Sequence, residues 1–183
     1  TIELMYQKET YKFLHSNELD AKLIEIPYSG FRIKMLIILP NRLDGIHNLL
    51  NQLNSFDQIK KFTKRMKRTK VKTYIPKFEI ETNYDLNTYL QGQGIIKSFG
   101  GGADFSGING RRDLFVSNVI HKAVIQVDEE GTRAAAATGV IMMRSASAQS
   151  QQDQEFKADH PFLFFIIDYD NQIVLFCGVI NHL

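Results

Sequence analysis

The sequence predicts an α+β fold, because its strand patterns come in runs and its helical patterns come in a block. Three stretches carry that prediction. Alternation around Ile24 and Ile26 leads through the turn residues Pro27-Tyr28-Ser29-Gly30 into the unbroken apolar run Met35-Leu36-Ile37-Ile38-Leu39-Pro40, a half-buried strand followed by a fully buried one. Ile46, Leu49, Leu50 and Leu53 then fall at helical spacing behind Asp44, and Ile59, Phe62 and Met66 repeat the spacing behind Ser55, which predicts two short amphipathic helices with polar caps. Strand patterns return near the end of the chain without βαβ alternation.

The remaining elements follow in order. Tyr74 to Glu81 alternates as a strand, Asp85 to Leu90 reads as a short helix closing at Gly92, and Val119 to Val127 reads as another strand. A final hairpin joins Phe162–Ile167 to Ile173–Ile180 across Asp168-Tyr169-Asp170-Asn171. No internal repeat and no linker divides the chain. Its 183 residues are 44% apolar with a net charge of +2, which excludes intrinsic disorder. The longest apolar run, Phe162 to Ile167, is far short of the ~18 residues that span a bilayer. The single Cys177 excludes an internal disulfide and, set in an apolar strand, is expected to be buried and inert. The start Thr-Ile-Glu-Leu lacks an initiator Met and a signal-peptide pattern, so a processed chain or a fragment is expected.

Two segments depart from this globular pattern. Lys60, Lys61, Lys64, Arg65, Lys67, Arg68, Lys70 and Lys72 crowd into thirteen residues without an acid. Removing those eight charges from +2 leaves −6 for the rest, so a near-neutral total hides a dipolar protein. The second segment, Gly131 to His160, has no clear apolar period, and structureless stretches beyond ~15 residues are usually functional or disordered. Were residues 132 to 142 to become a strand, one face would carry Thr132, Ala134, Ala136, Thr138, Val140 and Met142, all small or apolar, with Arg133 facing away. Gly131, Gly139 and the alanines from Ala134 to Ala137 give poor strand propensity, so the segment needs a ready sheet to join.

The stretch His121-Lys122-Ala123-Val124-Ile125-Gln126-Val127-Asp128-Glu129-Glu130-Gly131-Thr132, with the alanines that follow, resembles the strand and hinge of a serpin. Asp159-His160-Pro161-Phe162-Leu163-Phe164 and Leu175-Phe176-Cys177-Gly178-Val179-Ile180 resemble its last two strands, and Ala103-Asp104-Phe105-Ser106-Gly107-Ile108 and Ile75-Pro76-Lys77-Phe78 match as well. The resemblance covers essentially the whole chain. It implies the serpin fold, mixed and antiparallel sheets with short helices and a long exposed reactive loop at about 131–158. Serpins are about twice this long, so residues 1–183 are expected to be the C-terminal part of a single serpin domain, without the strands between which its loop would insert.

The resemblance implies a protease inhibitor, not an enzyme. In the family a protease attacks the loop as a substrate, its serine forms an acyl-enzyme, and the cleaved loop enters a metastable sheet, trapping the protease. The matching hinge residues are Glu129, Glu130, Gly131, Thr132, Ala134, Ala135, Ala136, Ala137 and Thr138. Glu129 would pair with Lys77 at the top of the sheet, and His121 would help hold the sheet shut. Counting the family's usual hinge length puts the reactive bond at Ser145-Ala146, whereas chemistry favours Arg144-Ser145, since a trypsin-like pocket binds a guanidinium through a buried carboxylate. Both bonds stay open, with Arg144 slightly preferred.

For the basic run the simple reading is a solvated helix end and connector. The functional alternative is a polyanion site for a glycosaminoglycan such as heparin, because the region resembles the heparin-binding helix of one branch of the family. His121 reads as a satisfied core histidine. His15, His47, His160 and His182 lack metal-site spacing, so no metal or other cofactor is expected. The glycines of Gln91-Gly92-Gln93-Gly94 and Gly100-Gly101-Gly102 lack a phosphate loop's context, and no Gly-x-Ser-x-Gly elbow occurs. Expected partners are a trypsin-like serine protease and a sulfated polysaccharide, with no membrane, for a monomer once complete. The family suggests an extracellular, secreted protein, and the absence of an Asn-x-Ser/Thr sequon argues neither way.

Overall fold

The apolar run Met35 to Leu39 lies buried on both faces of a seven-stranded sheet. The computed structural model describes residues 3–128 and 153–182. In chain order the elements are β1 (Leu4–Ser16), β2 (Ala21–Pro27), β3 (Ile33–Pro40), α1 (Ile46–Gln52), α2 (Phe56–Thr63), β4 (Lys67–Pro76), β5 (Phe78–Asp85), α3 (Asn87–Gly92), a 3-10 turn at Lys97–Phe99, α4 (Ser106–Asn109), β6 (Ile120–Val127), β7 (Gln154–Lys157), β8 (Phe162–Asp168) and β9 (Ile173–Ile180). They form two units, Thr1–Lys77 with Val127–Leu183, and Phe78–Gln126.

The first unit holds the sheet, in the order β7-β4-β1-β2-β3-β8-β9. Its neighbours run antiparallel except β4 and β7, which are parallel. One face carries Leu23, Leu36, Ile38, Leu163 and Ile167, packed with Ile46 and Leu49 of α1 and Ile59 and Phe62 of α2 in one apolar cluster. The opposite face buries Phe13, Ile24, Ile37, Val71, Phe156 and Phe164. Lys22 of β2, which shares the parity of Ile24, donates at 3.2 Å to the carbonyl of Glu155 on β7. Three strand spacings separate β2 from β7, roughly 14 Å on a flat sheet and beyond one lysine's reach. The sheet must therefore curl toward this face. β1 shows where: Leu4 to Phe13 pair with β4 and Lys12 to Ser16 pair with β2, so only Lys12 and Phe13 have partners on both sides.

Several expectations need correction. No expectation covered β1, whose sequence lacks a simple apolar alternation because only Tyr11, Phe13 and Ser16 of its thirteen residues are buried. The expected strand from Tyr74 to Glu81 is two strands meeting at Lys77. The second half of the basic run is strand rather than connector: Val71, Thr73 and Ile75 turn inward while Arg68 and Lys70 stay exposed. Asp44 pairs with Arg42 instead of capping α1, whose cap is Gly45; a Cβ there would stand 2.7 Å from Pro40 Cβ. Ser55 does occupy the cap position of α2, without a side-chain capping bond. Gln154 to Lys157, expected within the loop, are strand β7, anchored by the buried Phe156. Cys177 is exposed, because β9 is an edge strand whose Ile173, Leu175 and Phe176 also face out.

The second unit pairs β5 with β6 and closes through hydrogen bonds rather than a core. Leu86 N donates to Val119 O at 2.8 Å, and Asn87 bridges back to Ser117 and Val119 through its side-chain amide. Asp104 accepts from the Ser106 amide and hydroxyl to start α4. Ala103 is its one buried apolar residue, while Ile96, Ile108, Phe115 and Ile120 are exposed.

Candidate functional site

Three features of the first unit carry chemistry: the basic run, a buried carboxylate beside it, and the strand that follows the expected reactive loop. The basic run divides by its partners. Lys60 pairs with Asp57 at 2.6 Å, and Lys61 and Arg65 share Glu18 at 2.6 and 2.8 Å. The hydrogen bonds from Lys61 and Arg65 lower the Glu18 carboxyl below its ordinary range, and Lys60 does the same to Asp57. These three cations are largely neutralised. Arg68, Lys70 and Lys72 instead share one parity of β4, opposite Lys12, Thr10 and Lys8 of β1. Lys8 reaches Asp153 at 2.6 Å, and that hydrogen bond, with the nearby Lys70 and Lys72, holds the Asp153 carboxyl down. The result is a two-strand cationic face of five basic residues, bordered by Asp153, by Glu155 opposite Lys72 and by Glu25 opposite Lys12. Sequence reasoning missed Lys8 and Lys12, since only the β1–β4 register brings them beside the run; Lys64 is exposed at the end of α2 and Lys67 has the other parity of β4.

Beside this face lies Glu25, 2% exposed. Tyr169 donates its hydroxyl to Glu25 Oε1. Oε2 has no hydrogen bond, although the ammonium groups of Lys34 and Lys12 stand 3.5 and 3.7 Å away. Burial and then the Glu25 bond push the Tyr169 phenol far above its ordinary range. Lys34 also lies 4.3 Å from the Tyr169 ring centre. Next to Tyr169, Asp168 takes Arg32 Nε at 3.1 Å on both oxygens, together with the amides of Asp170 and Asn171. Arg32 above all holds the Asp168 carboxyl well below the usual carboxylate range. This fork joins the β2–β3 turn to the β8–β9 turn.

Of the residues the sequence singled out, Glu129, Glu130, Gly131, Thr132, Ala134 to Ala137, Thr138, Arg144, Ser145 and Ala146 lie outside the described residues. β6 enters that stretch and β7 leaves it. Lys77 is exposed between β4 and β5, and its expected partner Glu129 is not described. His121 is exposed on β6, so the expected core histidine is not buried among the described residues. Among the described residues no group of three or more His, Cys, Asp or Glu is placed to hold a metal, and no helix is long and apolar enough to cross a membrane.

The family model "Serpin (serine protease inhibitor)" matches residues 1–183, and the chain belongs to the serpin family. It is 38% identical over 180 residues to human Serpin B3, covering 97% of this chain and 45% of that protein. It is 39% identical to the leukocyte elastase inhibitor of Xenopus laevis, covering 97% of the chain and 47% of that protein. Intracellular coagulation inhibitor 2 of Tachypleus tridentatus is 37% identical, with 100% of the chain and 44% of that protein covered. The chain therefore spans somewhat less than half the length of these relatives. Among solved structures it resembles uncleaved ovalbumin, with 27% identity and a TM-score of 0.78 over 97% of this chain and 43% of that one. It also resembles thyroxine-binding globulin in complex with thyroxine, with 26% identity and a TM-score of 0.79 over 98% of this chain and 46% of that one. The α+β serpin fold stands, and two of these relatives are named as inhibitors. The extracellular expectation gains no support, since one of these relatives is named as intracellular.

Proposed function

We propose that the complete protein is an inhibitory serpin that traps a trypsin-like serine protease, and that residues 1–183 are the C-terminal part of its single domain. The observation that carries the proposal is the segment 132–142, small or apolar on one parity, which follows β6 directly. Small side chains cost least to bury when a strand joins a sheet already packed on both faces. The protease serine attacks the carbonyl of Arg144 or Ser145 and takes over the acyl group, the amine of Ser145 or Ala146 departing as the new N-terminus of a fragment that β7, β8 and β9 keep in the sheet. Thr132 to Thr138 then enter the sheet beside β6 while the acyl bond still holds, carrying the protease away from its active geometry. A glycosaminoglycan such as heparin on the cationic face is proposed as an effector. Incubating the complete protein with trypsin should give a covalent complex that survives SDS, and sequencing the C-terminal fragment should return Ser145 or Ala146 as its first residue. Clean cleavage without any complex sinks the proposal.

A second reading, a non-inhibitory serpin acting as a carrier, decoy or chaperone, draws on the likeness to thyroxine-binding globulin with thyroxine. Thr132→Arg separates the two. An inhibitor should become a mere substrate, because the guanidinium cannot enter the sheet interior, whereas a carrier should be indifferent.

A further inference from the structure

The cleft where β1 passes from β4 to β2 has a built interior that the loop mechanism does not use and that shares Lys12 and Arg68 with the cationic face. It offers about 140 Å³ and is open to solvent on one side. Tyr11, Pro27 and Phe31 give it apolar walls, Lys12, Lys34 and Arg68 bring three cations, and Glu25 is the sole carboxylate in its lining. Phe31, 52% exposed, sits at φ +60°, a backbone region that bulky residues rarely adopt. That conformation is set by the β2–β3 turn, where Phe31 N donates to Tyr28 O at 3.0 Å and the neighbouring Arg32 is tied to Asp168. An aromatic ring is thus kept at the cleft instead of folding onto the apolar core.

We propose that this cleft binds a small aromatic acid with a single ring and a hydroxyl donor. Size gives the first guide: a cavity of about 150 Å³ accommodates benzene, so a single ring fills the space this cleft offers. Charge sets the second, because three cations facing one carboxylate leave a positive surplus that favours an anion. The third is Glu25 Oε2, buried and ion-paired to the Lys34 and Lys12 ammonium groups at 3.5 and 3.7 Å but without a hydrogen bond, so an O–H donor reaching it would complete its shell. A carboxylate facing Lys12 and Arg68, a ring against Phe31 and a hydroxyl on Glu25 meet all three.

The test is calorimetric titration of the complete protein with 4-hydroxybenzoate, beside benzoate, which lacks the donor, and phenol, which lacks the charge. Saturable binding of 4-hydroxybenzoate is expected, with each control weaker by about tenfold, the cost of one unmade charged or buried hydrogen bond. Phe31→Gly, which removes the ring and relieves the backbone, should weaken binding while leaving the unfolding midpoint level or higher. Lys12→Met should weaken 4-hydroxybenzoate but not phenol. Absence of saturable binding at millimolar ligand, equal binding of benzoate and 4-hydroxybenzoate, or an unaffected Phe31→Gly variant would each overturn the proposal. Protease trapping is read separately, so failure of one leaves the other standing.

Discussion

Gly178→Ala offers a demanding check on the packing of β8 against β9. Gly178 lies directly opposite Phe164 in the register, and Phe164 is 1% exposed. A Cβ added at Gly178 would fall 2.7 Å from both Cε1 and Cζ of that ring. Carbon atoms pack best at about 3.5–4.0 Å, so the ring would have to retreat by close to an ångström. It has nowhere to go, because interiors are close-packed and the ring is enclosed. Overpacking of this kind costs about 1–3 kcal/mol, and two ring atoms at 2.7 Å put it at the upper end, so after the ~0.5–1 kcal/mol that alanine gains over glycine in a strand a net loss of about 1–2 kcal/mol remains. Urea denaturation of the complete protein, followed by circular dichroism, should therefore show a lower midpoint for Gly178→Ala at an unchanged slope. The companion Phe164→Leu should lose stability alone through its cavity, yet the double variant should lose less than the sum, by about 1 kcal/mol of coupling. A neutral or stabilised Gly178→Ala, or strict additivity, would refute the close contact.

Further predictions concern charge. Asp168 has a carboxyl lowered in the folded state, so its contribution is full above the unfolded carboxylate value of about 3.9 and is lost as pH falls through the lower folded value. Arg32→Met should thus be less stable than the parent at pH 7, with the gap closing below about pH 4; a gap that stays constant to pH 2 would contradict the fork. Tyr169→Phe removes the one hydrogen-bond donor to buried Glu25 and should cost about 1–3 kcal/mol in denaturant titration, against almost nothing if that bond is unimportant. On a heparin column, replacing Arg68, Lys70 and Lys72 by Ala should lower the eluting salt more than replacing Lys60, Lys61 and Arg65, whose charges are already paired. Equal falls would remove the two-strand face.

Strands whose core residues form runs were legible from the sequence. Met35 to Leu39 and Phe162 to Ile167 declare burial on both faces, and Ile59 and Phe62 declare one side of α2, while Met66, expected on the same helix, is buried three residues beyond its end. β1 was not legible, because its exposed half is held by pairing with β4, a long-range partner that leaves no local period. β4 was hidden by its own charge. The lysines that suggested a helix end occupy the solvent parity of a strand, and the β-branched residues between them carry the burial. The cluster around Glu25 joins residues from β1, β2, β3 and the β8–β9 turn, and nothing nearby in sequence marks that carboxylate as buried. The reactive loop was the reverse case: residues 132–142 announce it by composition, while their placement lies outside the described residues.

Because only Lys12 and Phe13 of β1 have strand partners on both sides, the seven strands act mechanically as two panels sewn along a two-residue seam. The panel of β7, β4 and the start of β1 has few buried side chains, whereas β2, β3 and β8 hold the apolar cluster. Amide protons of the first panel should exchange through openings that leave the second intact, so tension applied through β7 would peel the sheet at Lys12 before it reached the core.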